Sequence, residues 1–152
     1  MIHLASRPSF GADKLEGNFI METFEIHTRQ RNEFVEITDQ VNQVLRRKAI
    51  KQGICVVYCP RTKAAVTINE SADPDVVHDM LSCLNRSIPQ RQPEFRHGEG
   101  NSDSHIKSSL VGASATLLVE NGQLVLGRWQ GVYFCEFDGP RTRQVHVQCH
   151  GN

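Results

Sequence analysis

Between Arg96 and Leu110 the chain reads RHGEGNSDSHIKSSL, which places two histidines, two carboxylates, an asparagine, a lysine and four serines within fifteen residues. His97, Glu99, Asp103 and His105 supply the imidazole and carboxylate donors that suit zinc, manganese or iron. An imidazole also moves protons near neutral pH. The HxE…DxH spacing matches no standard zinc finger. Lys107 followed by Ser108 and Ser109 offers an ammonium and two hydroxyls to a phosphate, more so where the serine amides open a helical turn. Gly98 and Gly100 allow close backbone approach or positive φ. The same residues also describe a solvated loop with a short capped helix.

Two further clusters carry reactive side chains. RTKAAVTINE (61–70) ends with Asn69 and Glu70 where a strand gives way to SADPD. Strand ends commonly hold site residues, although Asn69, Glu70 and Asp73 also make turns and helix caps. GRWQGVYFCEFDGPRTR (127–143) holds the one tryptophan, Trp129, near Gly127 and Gly131. On a regular strand Glu136 and Asp138 point the same way, and Arg141 and Arg143 follow a tight turn. A ring with guanidinium groups can grip a flat heterocycle and a phosphate. A core tryptophan and a surface turn would read alike.

These clusters need a scaffold. At 152 residues the chain is about one domain long, enough for a core without disulfide or metal staples. Lys plus Arg and Asp plus Glu both number 17, so bulk charge steers it toward neither nucleic acid nor anionic membranes. No apolar run approaches the roughly 20 residues of a membrane span. The five cysteines are dispersed, with no CxxC, and read as buried reduced thiols in a reducing, cytoplasmic setting. Residues 1–20 lack both a secretory signal pattern and periodicity. They read as an extension or an alternative start before a single domain over 21–152.

TFEIHTR and EFVEIT alternate around RQRN as two strands or a hairpin. A helix over 40–51, capped by Thr38 or Asp39, places Val41, Val44, Leu45 and Ala49 on one stripe, and Gly53 stops it. ICVVYC (54–59) reads as a central strand and AAVTI (64–68) as another. Asp73-Pro74 starts a helix whose buried stripe is Val76, Val77, Met80, Leu81 and Leu84, with Pro89 as its stop. Residues 86–104 form a long polar connection, with HIKSSL as one helical turn. Asn121-Gly122 closes a hairpin, and VYFCEF and RQVHVQC are two last strands. The order predicts an α+β domain, a mostly antiparallel or mixed β-sandwich with two packed helices.

TKAAVTINESADPDVVHDM, HGEGNSDSHIKSSLVGAS and GQLVLGRWQGVYFCEFDGPR resemble, in order and spacing, the three signature blocks of the YjbQ-like family. The family is often described as secondary thiamine-phosphate synthases, and the resemblance runs from about Met21 to Val147. It implies an α+β fold and a cytoplasmic homotrimer with sites near subunit boundaries. It also implies a reaction joining a pyrimidine methyl diphosphate to a thiazole phosphate. Its pattern falls on Asn69 and Glu70, on His97, Glu99, Gly100, Asp103, His105, Lys107 and Ser108, and on Trp129, Gln130, Gly131 and Glu136. On that basis Glu70, Glu99 and His105 are the catalytic candidates. Asn69, Asn101, Lys107, Ser108, Trp129, Arg141 and Arg61 are the candidates for holding a small phosphorylated or anionic ligand. His97, His105 and Glu99 are the candidate ligands of a divalent metal, magnesium or zinc. One departure bears on the metal. Members usually read His-Thr-Thr where this chain has Arg61-Thr62-Lys63, and the threonine of LGTWQG is Arg128. A guanidinium neither ligates a metal nor accepts a proton at neutral pH, so these changes favour an anion. The alternative function is a non-catalytic trimeric protein binding a small anion or a metal.

Overall fold

The computed structural model describes residues 18–152, so the reading of residues 1–20 as an extension lies outside the described residues for 1–17, while 18–20 belong to the first strand of the domain. The elements are β1 (Asn18–His27), β2 (Glu33–Glu36), α1 (Thr38–Arg47), β3 (Gly53–Tyr58), β4 (Ala64–Glu70), α2 (Pro74–Ser87), α3 (Ser102–Val111), β5 (Ser114–Glu120), β6 (Gln123–Leu124), β7 (Gln130–Glu136) and β8 (Thr142–Gly151). They build two sheets, ordered β1-β8-β3-β5-β6 and β2-β7-β4. Every pairing is antiparallel. The α+β expectation therefore holds, with three helices in place of two.

Alternation explains the layering. Along β8, Arg143, Val145, Val147 and Cys149 are buried while Gln144, His146 and Gln148 face outward. The inner face of the five-stranded sheet meets α1 and one face of the small sheet in a single core. Ala65, Tyr133 and Cys135 point from the small sheet's other face into a second cluster, against Val77 and Leu84 of α2 and Val111 of α3. β7 is thus buried on both faces. ICVVYC is central as expected, yet only its alternate residues Cys55, Val57 and Cys59 are buried, because the outer face of the large sheet has no covering layer among the described residues.

Several local expectations change. β1 and β2 are not a hairpin: β1 pairs with β8 and β2 with β7, in different sheets. α1 begins at Thr38 without a side-chain cap, since the Thr38 hydroxyl instead accepts the Val132 amide. Ala49 leaves the buried stripe, turning to φ 53° in the turn that lets Ile50 bury. α2 is capped by Asp73 as expected, but none of its residues is fully buried. It reaches the second cluster through Val77 and Leu84 alone, so amphipathicity marked its inward face without burying it.

The largest change is α3, ten residues where one turn was expected. Its buried residues are Asp103, Ser104, Lys107 and Ser108. Spacing of one and four residues puts all four on one helical face, but the face is polar and leaves no apolar stripe to read. Asn121 and Gly122, at φ 52° and 75°, close the β5–β6 hairpin as the type I′ pattern requires. All five cysteines are free and four are buried, and burial pushes the Cys59 thiol up to about 11.

Candidate functional site

The site forms where β7 ends and β4 begins. Ala64 pairs with Glu136, and the Phe137 amide bonds the Lys63 carbonyl, so the residues flanking that pair, Lys63 and Asp138, lie side by side. Gly100, at φ 69°, turns the loop so that Asn101 meets them at the start of α3. The Lys63 ammonium sits 3.0 Å from Asp138 Oδ2 and 3.5 Å from Glu99 Oε2. The Asn101 amide donates to the same two carboxylates, at 3.1 Å and 3.2 Å. Arg141 Nη2 reaches Asp138 Oδ2 at 3.2 Å.

His97 Nε2 lies 3.8 Å from Glu99 Oε2. The His97 and His105 rings meet edge to face, 5.3 Å between centroids. Together with Ser102 and Ile106 they line a cavity of about 300 Å³. His105 also borders a second cavity of about 270 Å³, lined by Arg61, Thr62, Ser108, Ser109 and the 112–113 turn. Among the described residues no carboxylate pairs with Arg61. A hollow of about 500 Å³ at the other end of β3 is lined by Lys51, Gln52, Asn121 and Asn152, without imidazole or carboxylate side chains.

The charges are set by these contacts. The Asn101 hydrogen bond and the Lys63 ammonium hold the Glu99 carboxyl below its ordinary range. Burial alone would push Asp138 up, but Lys63, Asn101 and Arg141 outweigh it and its carboxyl is also lowered. Both acids are ionised at neutral pH, opposite one ammonium and one guanidinium.

The second half of the stretch is inward and saturated. Arg31 holds Asp103 with two parallel bonds of 2.9 Å. Lys107, only 1% exposed, donates to Asp103 at 3.0 Å and to Asn85 at 2.8 Å. Ser104 donates to the Phe137 carbonyl, and Ser108 to the carbonyls of Thr62 and His105. Burial pushes the Asp103 carboxyl up, while Arg31 and Lys107 pull it further down, so it stays charged. Glu136 and Arg143 make another closed pair, two bonds of 2.8 Å, to which Thr28 and the amides of Phe137 and Asp138 are added. The Arg143 guanidinium is therefore not free to grip a ligand.

Of the residues singled out in the sequence, His97, Glu99, Asn101, His105, Arg61 and Arg141 gather here. Asn69, Glu70 and Trp129 do not. They lie at the opposite end of the small sheet, where Glu70 pairs with Gln130. Six strand steps at ~3.3 Å put that end about 20 Å away. There Asn69 donates to the Met80 sulfur and accepts the Glu70 amide. Arg128 lies 4.6 Å above the Trp129 ring. The residues that reasoning from the sequence left out of the site are Lys63, Asp138 and Arg31. The register of β4 against β7 would have found the first two. Nothing local points to Arg31, 72 residues from its partner.

Among the described residues no group of three His, Cys, Asp or Glu comes close enough to hold a divalent metal ion. Arg61 is a guanidinium, which cannot ligate a metal, and the two carboxylates already hold Lys63. The side chains present do not fit the ion.

An α+β domain with a polar pocket on the rim of a three-stranded sheet is the class this architecture defines. A family model described as "UPF0047 protein YjbQ-like" matches residues 22–152, and the chain belongs to that family. The UPF0047 protein YugU of Bacillus subtilis is 48% identical over 87% of this chain and its own full length. A UPF0047 protein of Methanocaldococcus jannaschii is 47% identical over 85% of this chain and 93% of its own. The crystal structure of an uncharacterised family member from Clostridium acetobutylicum superposes with a TM-score of 0.82 at 44% identity, covering 84% of this chain and 98% of that one. A Sulfolobus solfataricus protein, described as of unknown function, gives 0.85 at 29% identity, over 90% and 99%. Among the described residues no helix is long and apolar enough to cross a membrane.

Proposed function

We propose that the chain binds a small phosphorylated ligand in the paired cavities that share His105. The observation that carries this is Arg61: a guanidinium lining a cavity beside hydroxyls and an imidazole, with no carboxylate partner among the described residues. An arginine so placed offers two parallel donors to a phosphate. Lys63 and Arg141 stand at the adjoining rim, where they offset the Glu99 and Asp138 carboxylates and leave Arg61 as the unbalanced charge. In the enzymatic form of this reading, the thiazole nitrogen attacks the pyrimidine methylene, the methylene–oxygen bond breaks and diphosphate leaves with the bonding pair. Arg61 neutralises part of the charge on the departing diphosphate, and His105 and Glu99 orient the acceptor.

Asn69, Glu70 and Trp129 enter this reading through a homotrimer, in which the far end of one chain's small sheet completes the pocket of the next. The split across about 20 Å within one chain favours such sharing. So does the uncovered face of the large sheet, where Met21 and Leu118 are each 62% exposed. Light scattering should give three times the chain mass, and a monomer at micromolar concentration would refute the shared site.

Titration calorimetry with pyrophosphate tests the ligand class. Wild type should bind, and Arg61→His should bind roughly ten- to a hundred-fold more weakly, the worth of one charge-assisted contact. Equal isotherms would remove Arg61 from the site. Turnover of the two thiamine precursors would then separate the transferase from the non-catalytic binder.

A further inference from the structure

We propose that Lys63 is a tethered cation seated in the divalent-ion position of the pocket, so that this chain refuses the metal its other side chains would accept. The inference rests on reading this pocket as the ligand site, and it concerns the Glu99–Asn101–Asp138 cradle rather than the Arg61 cavity.

The geometry is that of a carboxylate pair around a positive centre. Glu99 approaches from the loop before α3 and Asp138 from the end of β7, and both turn an oxygen to the Lys63 ammonium. Hard oxygen donors from separate elements facing one cation are the arrangement that binds magnesium or manganese. A third oxygen is at hand. Asn101 is 6% exposed and its amide nitrogen already touches both carboxylates, while its Oδ1 is buried without a partner. A carbonyl oxygen left unsatisfied costs free energy. Rotating the amide by half a turn would bring that oxygen toward the carboxylates and onto any ion between them. With the lysine in place the amide nitrogen faces both acids, which as carboxylates can only accept.

The ammonium differs from a metal ion in two ways that matter for the pocket. It is covalently fixed, so it cannot be removed by a chelator or displaced by mass action. It also cannot coordinate a ligand oxygen as a Lewis acid. With Arg141 on Asp138, the cradle holds two carboxylates and two cations. The free guanidinium of Arg61 then sets the sign of the pocket, which suits an anion that arrives without a metal.

Replacing Lys63 by methionine keeps the stem and deletes the charge; threonine is the second variant, and thermal melts check that each remains folded. Manganese binding is read from the free-ion electron paramagnetic resonance signal, and pyrophosphate binding by calorimetry in metal-free buffer. Wild type should leave the manganese signal unbound at 1 mM, while Lys63→Met and Lys63→Thr each take up one ion with a dissociation constant of about 0.1–1 mM, the range of weak oxygen sites. Adding Asp138→Asn should abolish that uptake. If wild type binds manganese as well as Lys63→Met does, or if neither folded variant binds it, the proposal is wrong. The pyrophosphate arm separates this from the ligand reading. Manganese uptake by the variants with no pyrophosphate binding by wild type would sink the anion reading alone. Pyrophosphate binding by wild type without manganese uptake by the variants would sink the tethered cation alone.

Discussion

The two halves of one fifteen-residue stretch behave as two different materials. Asp103, Ser104, Lys107 and Ser108 point into the protein and each has found protein partners: Asp103 with Arg31 and Lys107, Lys107 also with Asn85, Ser104 with the Phe137 carbonyl, Ser108 with the Thr62 carbonyl. His97, Glu99 and Asn101 gather around Lys63 at the rim, and His97 faces a cavity together with His105 from the outer side of α3. The inner half is what holds α3, a helix with a polar buried face, against the small sheet. The outer half is free to meet a ligand because the inner half carries the packing. Side-chain type does not separate the two roles; burial does, the Asp103 side chain being fully buried and that of Glu99 64% exposed.

The comparison is broken most directly at Asp103. Asp103→Ala strands Lys107 and Arg31 beside an empty carboxylate position, and removing one partner of a buried pair costs about 3–5 kcal/mol. Urea unfolding should show a loss of that size. Glu99→Gln, in the exposed half, should leave the urea midpoint where it is. If the two variants lost equal stability, the division of labour would be false.

Acid should act through the same carboxylate. Asp103 is lowered in the fold relative to its unfolded value of about 3.9. Its contribution is therefore complete above that value and is lost as pH falls through the folded one. Stability should decline from about pH 4 downward, with part of the decline belonging to Asp138, which is lowered in the same sense. Asp103→Asn should be less stable at neutral pH and should flatten the acid limb of the profile. A wild-type profile unchanged between pH 5 and 2 would show that these contacts do not favour the charged forms.

A smaller effect on affinity and none on folding is expected from His105→Ala. Its ring is the common wall of both cavities, and its backbone carbonyl, which accepts from Ser108 and Ser109, survives the substitution. Pyrophosphate binding should weaken about ten-fold, the worth of one hydrogen bond to a charged group, with an unchanged melting temperature. A fall in melting temperature without a change in affinity would move His105 to the structural half.

What the sequence made legible follows from where the information lies. The Asn121-Gly122 turn, the Asp73 cap and the apolar strands are local patterns, and all stand in the structure. α3 shows no apolar periodicity, because its helical period is written in Asp103, Ser104, Lys107 and Ser108. The pairing of β1 with β8 and β2 with β7 is set by contacts more than 90 residues apart, so adjacency in the chain suggested a hairpin that does not form. The pocket was half visible. His97, Glu99 and His105 announce themselves by type, whereas Lys63 and Asp138 join them only through the β4–β7 register. Trp129 was grouped with them by the order of blocks, and strand length puts it at the other end of the sheet.

The smallest expected effect sharpens that last point. Arg128 lies over the Trp129 ring, which is 54% exposed, and an exposed cation–π contact is worth about 0.5–1 kcal/mol. Arg128→Ala should therefore cost no more than that in urea, less than the Asp103 substitution by a factor of several. Trp129 is the one tryptophan, so its emission reports on this end of the sheet alone. Within a single chain it stands about 20 Å from the Arg61 cavity, too far for a bound anion to touch it. If subunits share the pocket, pyrophosphate should shift Trp129 emission in wild type with the same midpoint that calorimetry gives. The shift should shrink in Arg128→Ala and vanish in Arg61→Ala. An emission that ignores saturating pyrophosphate, in a protein that calorimetry shows to be loaded, would mean that the two ends of the small sheet serve separate purposes and that Trp129 belongs to neither half of the site.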